Sequence, residues 1–163
     1  MFLYNYLKSK NNKETILILL LLFLSFITRV PVILALGDTT LDNEWGVMHY
    51  NLINHNVLSQ QSFGEFLLPN LWLPPLYAYY LYVLSFLNFE DHNFVLLVLF
   101  SQAVLASASV VIFYKLNKLF FSQKISLYGS LLFSFFPLYL YASAQISSIS
   151  LTIFLAIYFY YYF

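Results

Sequence analysis

The sequence predicts an all-α protein: a multi-pass transmembrane helix bundle with a short amphipathic interfacial helix in its first outside loop. Three observations predict it. Hydrophobic residues fill 61% of the 163 positions and charged residues only 9%, against about 25% charged in a soluble domain, so the charges are too few to cover a water-facing surface. Apolar stretches recur that approach the roughly 20 residues needed to cross about 30 Å of hydrocarbon. No stretch alternates polar and apolar residues over several positions as a half-buried strand does, and helices satisfy their own backbone polar groups in lipid. The zero net charge and the lack of a basic run argue against a nucleic-acid partner, and the absence of cysteine argues against a disulfide scaffold.

The first apolar stretch covers 16–36, preceded by Lys8, Lys10 and Lys13. A signal peptide has the same basic start, but its apolar core runs to about 7–15 residues and ends at a small-residue cleavage site. This stretch is longer and no such site precedes Gly37. An uncleaved helix is therefore expected, with its N-terminus in the cytoplasm by the positive-inside rule. Four further stretches follow at 71–89, 94–114, 125–142 and 146–163. If 71–89 and 94–114 both cross, Lys115, Lys118 and Lys124 fall outside, against that rule; either the rule fails here or one stretch does not fully cross. No formal charge follows Lys124, and the sequence reads as one membrane domain, 1–163, the amino-terminal portion of a longer chain.

Residues 37–70 carry Asp38, Asp42, Glu44 and Glu65 and no Lys or Arg. Within them, Trp45, Met48, Leu52 and Ile53 fall on one helical face. The expectation is a short helix lying on the membrane by that face, capped by Thr40 or Asp42. Asp42 and Glu44 then stand at the start of a helix at the outer surface. A carboxylate there can act as general base toward a hydroxyl or amine, or hold a divalent metal; a capping role explains Asp42 equally well. His49 and His55, six apart, do not share a face, which argues against a zinc pair; His92 reads as solvated. Pro74 and Pro75 suit the first turn of the next helix, because that N–H lacks a partner anyway. Trp72, Tyr77, Tyr79 and Tyr80 fit an interfacial belt, or one wall of a site facing the acidic helix. Arg29, just before Pro31, is costly within a span, and such a residue points to function unless it snorkels. Ser143, Ser147, Ser148 and Ser150 suit helix packing, and Gly129 and Pro137 suit a close approach or a kink. Phosphate-loop, dinucleotide, zinc-protease and serine-hydrolase motifs are absent.

The order of these features resembles the start of the GT-C glycosyltransferases, within them the lipid A aminoarabinose transferase and protein O-mannosyltransferase branch. The resemblance rests on Arg29–Val30–Pro31, Asp42–Asn43–Glu44–Trp45 leading into the short helix, Pro74–Pro75–Leu76–Tyr77, Gln102, and Phe135–Phe136–Pro137. It implies transfer of a sugar from a polyprenyl-phosphate donor to a lipid, glycan or protein acceptor on the non-cytoplasmic face, in a bacterial-type inner membrane. It makes Asp42 or Glu44 the catalytic base and leaves a divalent metal open as cofactor. The substrate-binding candidates are Arg29, Trp45, Tyr50, Pro74, Pro75 and Tyr77. Asn43 separates the two acids that are often adjacent in the family, and Leu73 stands where many members have a lysine. The competing expectation is a non-enzymatic membrane protein (part of a transporter, or an assembly subunit) or an inactive fragment.

Overall fold

A computed structural model describes residues 2–60, 62–63, 66–67, 69, 73–87, 89 and 91–163, and their side chains except at 2–11, 62–63, 66–67 and 91. Glu65 and Trp72, named above, lie outside the described residues. The fold is helical: α1 (Phe2–Leu36), α2 (Glu44–His55), α3 (Pro75–Ser85), α4 (Asp91–Asn117), α5 (Gln123–Ser134), α6 (Pro137–Ala142) and α7 (Ile149–Tyr162). A two-residue hairpin, β1 (Ser62–Phe63) with β2 (Phe66–Leu67), pairs antiparallel between α2 and α3.

Two segments are long and apolar enough to cross a membrane, Asn12–Leu36 of α1 and His92–Asn117 of α4. They run antiparallel. Glu14, near the start of the apolar segment of α1, pairs with Lys118 just past the end of α4, while Ile33 shares an apolar cluster with Val98 and Leu99. α4 is the central helix, with α1, α3, α5 and α7 packed against it. Ala103, Ala106, Ser107 and Ser109 give it a nearly fully buried run of small side chains, which lets neighbouring helices approach closely. Ser126, Ser130 and Ser134 do the same for α5. The Ser126 and Ser130 hydroxyls donate to carbonyls one turn back, so each is buried with its donor satisfied.

The other three apolar stretches form shorter helices than the sequence suggests. The stretch at 71–89 yields α3, eleven residues and therefore about 16 Å long, half the hydrocarbon thickness. Pro75 occupies its first turn, as expected for a residue without an N–H. The stretch at 125–142 is split into α5 and α6 at Pro137, because the ring forces Phe136 into extended backbone (ψ 119°). The stretch at 146–163 gives the fourteen residues of α7. Large apolar side chains stand exposed along α1 (Ile16, Leu20, Phe23, Ile27), α5 (Tyr128, Leu132) and α7 (Leu155, Phe159). A water-soluble monomer rarely presents apolar surface on this scale.

The short helix α2 does not meet its surroundings as the sequence suggests. Trp45, Met48 and Leu52 are buried, and α2 packs against α3, with the Trp45 ring edge-on to Tyr77 at 4.8 Å. The apolar face thus finds a protein partner in place of lipid. Ile53, at the edge of that face, stays exposed together with Val47 and Tyr50.

Candidate functional site

The α6–α7 turn organises the segment that carries the acids. Asp38 accepts from the Ile146 N–H (2.7 Å), and Asn43 Nδ2 donates to the Ile146 carbonyl (2.9 Å). One peptide residue of the turn therefore grips the segment at both ends. The turn itself is fixed from α4: buried Gln102 donates to the Gln145 carbonyl (3.0 Å) and accepts from the Tyr77 hydroxyl (3.0 Å). Gln145 in turn donates to the carbonyl of Leu36 at the end of α1 (2.9 Å).

Asn43, and neither Thr40 nor Asp42, caps α2. Its Oδ1 accepts from the N–H groups of Trp45 and Gly46, both at 3.2 Å. The helix begins at Glu44, so only residue 43 stands where a side-chain oxygen reaches the free amides. Asn43→Ala removes both the cap and the tie to Ile146. The expected cost is about 1–2 kcal/mol, read as a lowered unfolding midpoint in detergent; Asn43→Asp, which keeps the acceptor and loses the amide donor, should fall between.

With the cap assigned to Asn43, the Asp42 carboxylate has no structural duty. It is exposed and makes no hydrogen bond or ion pair among the described residues. It lies on the walls of two clefts. One, of about 520 Å³, runs between the 39–42 segment, α2 and the start of α4, and is shared with His49, Tyr50, His92 and Phe94. The other, of about 360 Å³, is shared with Asp38, Thr40, Asn43 and Gln145. Glu44 is also exposed but lines neither cleft.

The structure brings together some of the residues singled out from sequence and separates others. Asp42 and Tyr50 share the larger cleft. Trp45 and Tyr77 meet in the apolar core. Pro74 and Pro75 are exposed at the start of α3 and line neither cleft. Arg29 is fully buried in the bundle and does not snorkel. Its Nη1 donates to Ser25 O (2.5 Å) and Ser25 Oγ (2.7 Å), and its guanidinium lies 5.1 Å from the centre of the Tyr139 ring. Among the described residues its Nε and Nη2 have no hydrogen-bond partner. It stands seven residues, about 10 Å, short of the α1 terminus.

Two histidines join the site that sequence reasoning set aside. His92, read as solvated, is exposed and lies on the larger cleft. His49 is only 8% exposed, its ring stacked on Phe94 at 5.2 Å and 15°. Their separation of 43 positions hides this proximity from any motif. Among the described residues no three His, Cys, Asp or Glu side chains converge to hold a metal ion.

Burial pushes the His49 imidazole below its ordinary value, because the charged form is the one that desolvation penalises. The unfolded chain then binds more protons than the fold, so stability rises with pH. The His49 contribution is full above the unfolded value of about 6.5 and is lost as pH falls from there toward the lowered folded value. Unfolding midpoints measured from pH 8 to pH 5 should fall on acidification, and His49→Phe should flatten that fall.

Comparison with protein-family models, curated proteins and solved structures returns no match.

Proposed function

We propose that the chain is the amino-terminal membrane portion of a GT-C type glycosyltransferase that uses a polyprenyl-phosphate sugar, with Asp42 as general base. The observation that carries this reading is the freedom of Asp42. Its neighbours on both sides, Asp38 and Asn43, are tied to Ile146, while its own carboxylate is left exposed on a cleft. A carboxylate held in place but not consumed by structure suits proton abstraction.

In this reading α1, α4, the broken pair α5–α6, and α7 cross the membrane as a multi-pass bundle, and α2 and α3 stay on the outer side. The shortness of α3 supports that arrangement. With only α1 and α4 as full crossings up to Asn117, Lys115, Lys118 and Lys124 return to the side of Lys8, Lys10 and Lys13, and the positive-inside rule holds. Every acid except Glu14 lies between 38 and 91, on the outer side. The exposed remainder of α2 (Val47, Tyr50, Ile53) is what can rest in the interface.

The chemistry asks little of the protein. Asp42 takes the proton of an acceptor hydroxyl, that oxygen bonds to the anomeric carbon, and the carbon–oxygen bond to the polyprenyl phosphate breaks with the electron pair leaving on phosphate. The departing phosphate needs a positive partner. Among the described residues no Lys or Arg lines the larger cleft, and Arg29, buried in the bundle and bonded to Ser25, is not on its wall; in this reading that partner is not among the described residues of the cleft wall. The test is transfer of labelled sugar from polyprenyl-phosphate donors in membranes carrying the native protein, compared with Asp42→Asn.

A second reading, a non-enzymatic subunit of a membrane assembly, is favoured by Arg29 alone. A buried guanidinium with two nitrogens unpartnered among the described residues suits pairing with an acid on a neighbouring transmembrane helix. Loss of transfer in Asp42→Asn decides against it.

A further inference from the structure

His49 is not used by the mechanism above, yet it is the most unusual polar group in the Asp42 cleft. Its ring is held flat against Phe94, and its Nε2 is buried with no hydrogen-bond partner among the described residues. Leaving such an atom unsatisfied is costly, and a bound group can relieve that cost. A hydroxyl fits this atom in either ring tautomer, since it both donates and accepts. The rest of the cleft selects further. Phe94 and Tyr50 bring aromatic rings to its wall, while Thr40, Asp42 and His92 bring polar side chains. Among the described residues no Lys or Arg lines it, so a phosphate would meet the Asp42 carboxylate with neither of these to offset the repulsion. A volume of about 520 Å³ accommodates one hexose-sized ring with water.

We propose that His49 is a ligand-binding residue and that this cleft takes an uncharged, hydroxyl-rich ring, one hydroxyl on His49 Nε2 and another on Asp42, with the phosphate kept outside. The inference rests on the glycosyl-transfer reading and names the part of the substrate that the cleft holds.

The test follows the imidazole nitrogens of the native protein by NMR, in an amine-oxide detergent free of sugar and phosphate. Methyl glucoside and methyl mannoside are titrated, with inorganic phosphate as the counter-probe. The expected result is a saturable shift at His49 with at least one glycoside and none with phosphate over the same range. His49→Phe, which keeps the stack on Phe94, should weaken that glycoside at least about tenfold, read through the His92 signal. No shift at His49 with either glycoside, a shift with phosphate that a glycoside cannot displace, or unchanged affinity in His49→Phe overturns the proposal. Should His49→Phe fail to fold, the native titrations decide alone. Adding polyprenyl-phosphate glucose separates the two sources of the ring: displacement of the glycoside assigns the cleft to the donor sugar, and simultaneous binding assigns it to the acceptor. Either supports the proposal. Glycoside binding at His49 combined with full transfer in Asp42→Asn would keep this site and remove the glycosyl-transfer reading.

Discussion

Asp42→Asn in the native protein is expected to lower sugar transfer by a factor on the order of 10²–10⁴, the usual contribution of a positioned general base, with helix content and unfolding midpoint unchanged. The second half of that expectation makes the first informative. Asn is nearly isosteric with Asp, and the Asp42 carboxylate caps nothing and pairs with nothing among the described residues, so its removal leaves the fold nothing to lose. The neighbouring acid is different: Asp38 holds the Ile146 N–H at 2.7 Å, and Asp38→Asn should lower the midpoint as well as the rate. Glu44→Gln is the direct comparison. Glu44 occupies the first turn of α2, where a negative charge favours the helix dipole, so the substitution should cost only a few tenths of a kcal/mol and spare transfer. Full transfer in Asp42→Asn with loss in Glu44→Gln moves the base to Glu44. Full transfer in both removes the catalytic reading of the loop.

The sequence made the long helices and the start of α3 legible for simple reasons. Apolar runs at 16–36 and 94–114 lie inside α1 and α4 because uninterrupted apolar length is itself the signal. Pro75 marked a helix start, and Pro137 suited a kink where the structure has a full break between α5 and α6, because a proline ring acts on its own backbone and on the residue before it. The face of α2 was legible at Trp45, Met48 and Leu52, but not what covers it: periodicity names a buried side without naming protein or lipid as partner. The cap was misassigned because Thr40, Asp42 and Asn43 all carry suitable oxygens, and only the backbone position decides among them. The clefts were not legible at all. His49 and His92 come to line one cleft because His49 of α2 stacks on Phe94 at the start of α4, and Ile146 reaches Asp38 and Asn43 through its main chain, which a side-chain pattern cannot announce.

That main-chain character makes Gly46 the position where the largest structural effect is expected. A Cβ added at Gly46 would lie 1.7 Å from the Leu41 carbonyl oxygen and 2.8 Å from its carbon. Both are backbone atoms, so no rotamer change relieves the overlap; either the first turn of α2 or the 41–42 segment must move. Overpacking of this kind costs up to about 3 kcal/mol, occasionally more, whereas Ala gains only about 1 kcal/mol over Gly as a helix former, so the clash decides the sign. Gly46→Ala should therefore lower the unfolding midpoint and raise amide exchange across 38–46. Gly129→Ala tests the reasoning from the other side. There the nearest atom to an added Cβ is Asn117 Nδ2 at 3.6 Å, an ordinary contact, so the helix gain of about 0.5–1 kcal/mol should stand uncancelled. Equal effects at the two glycines would refute the close approach at Leu41. Because Asp42 follows Leu41 directly, displacement of that carbonyl also displaces the carboxylate, and the loss of transfer in Gly46→Ala should exceed what its lowered stability accounts for.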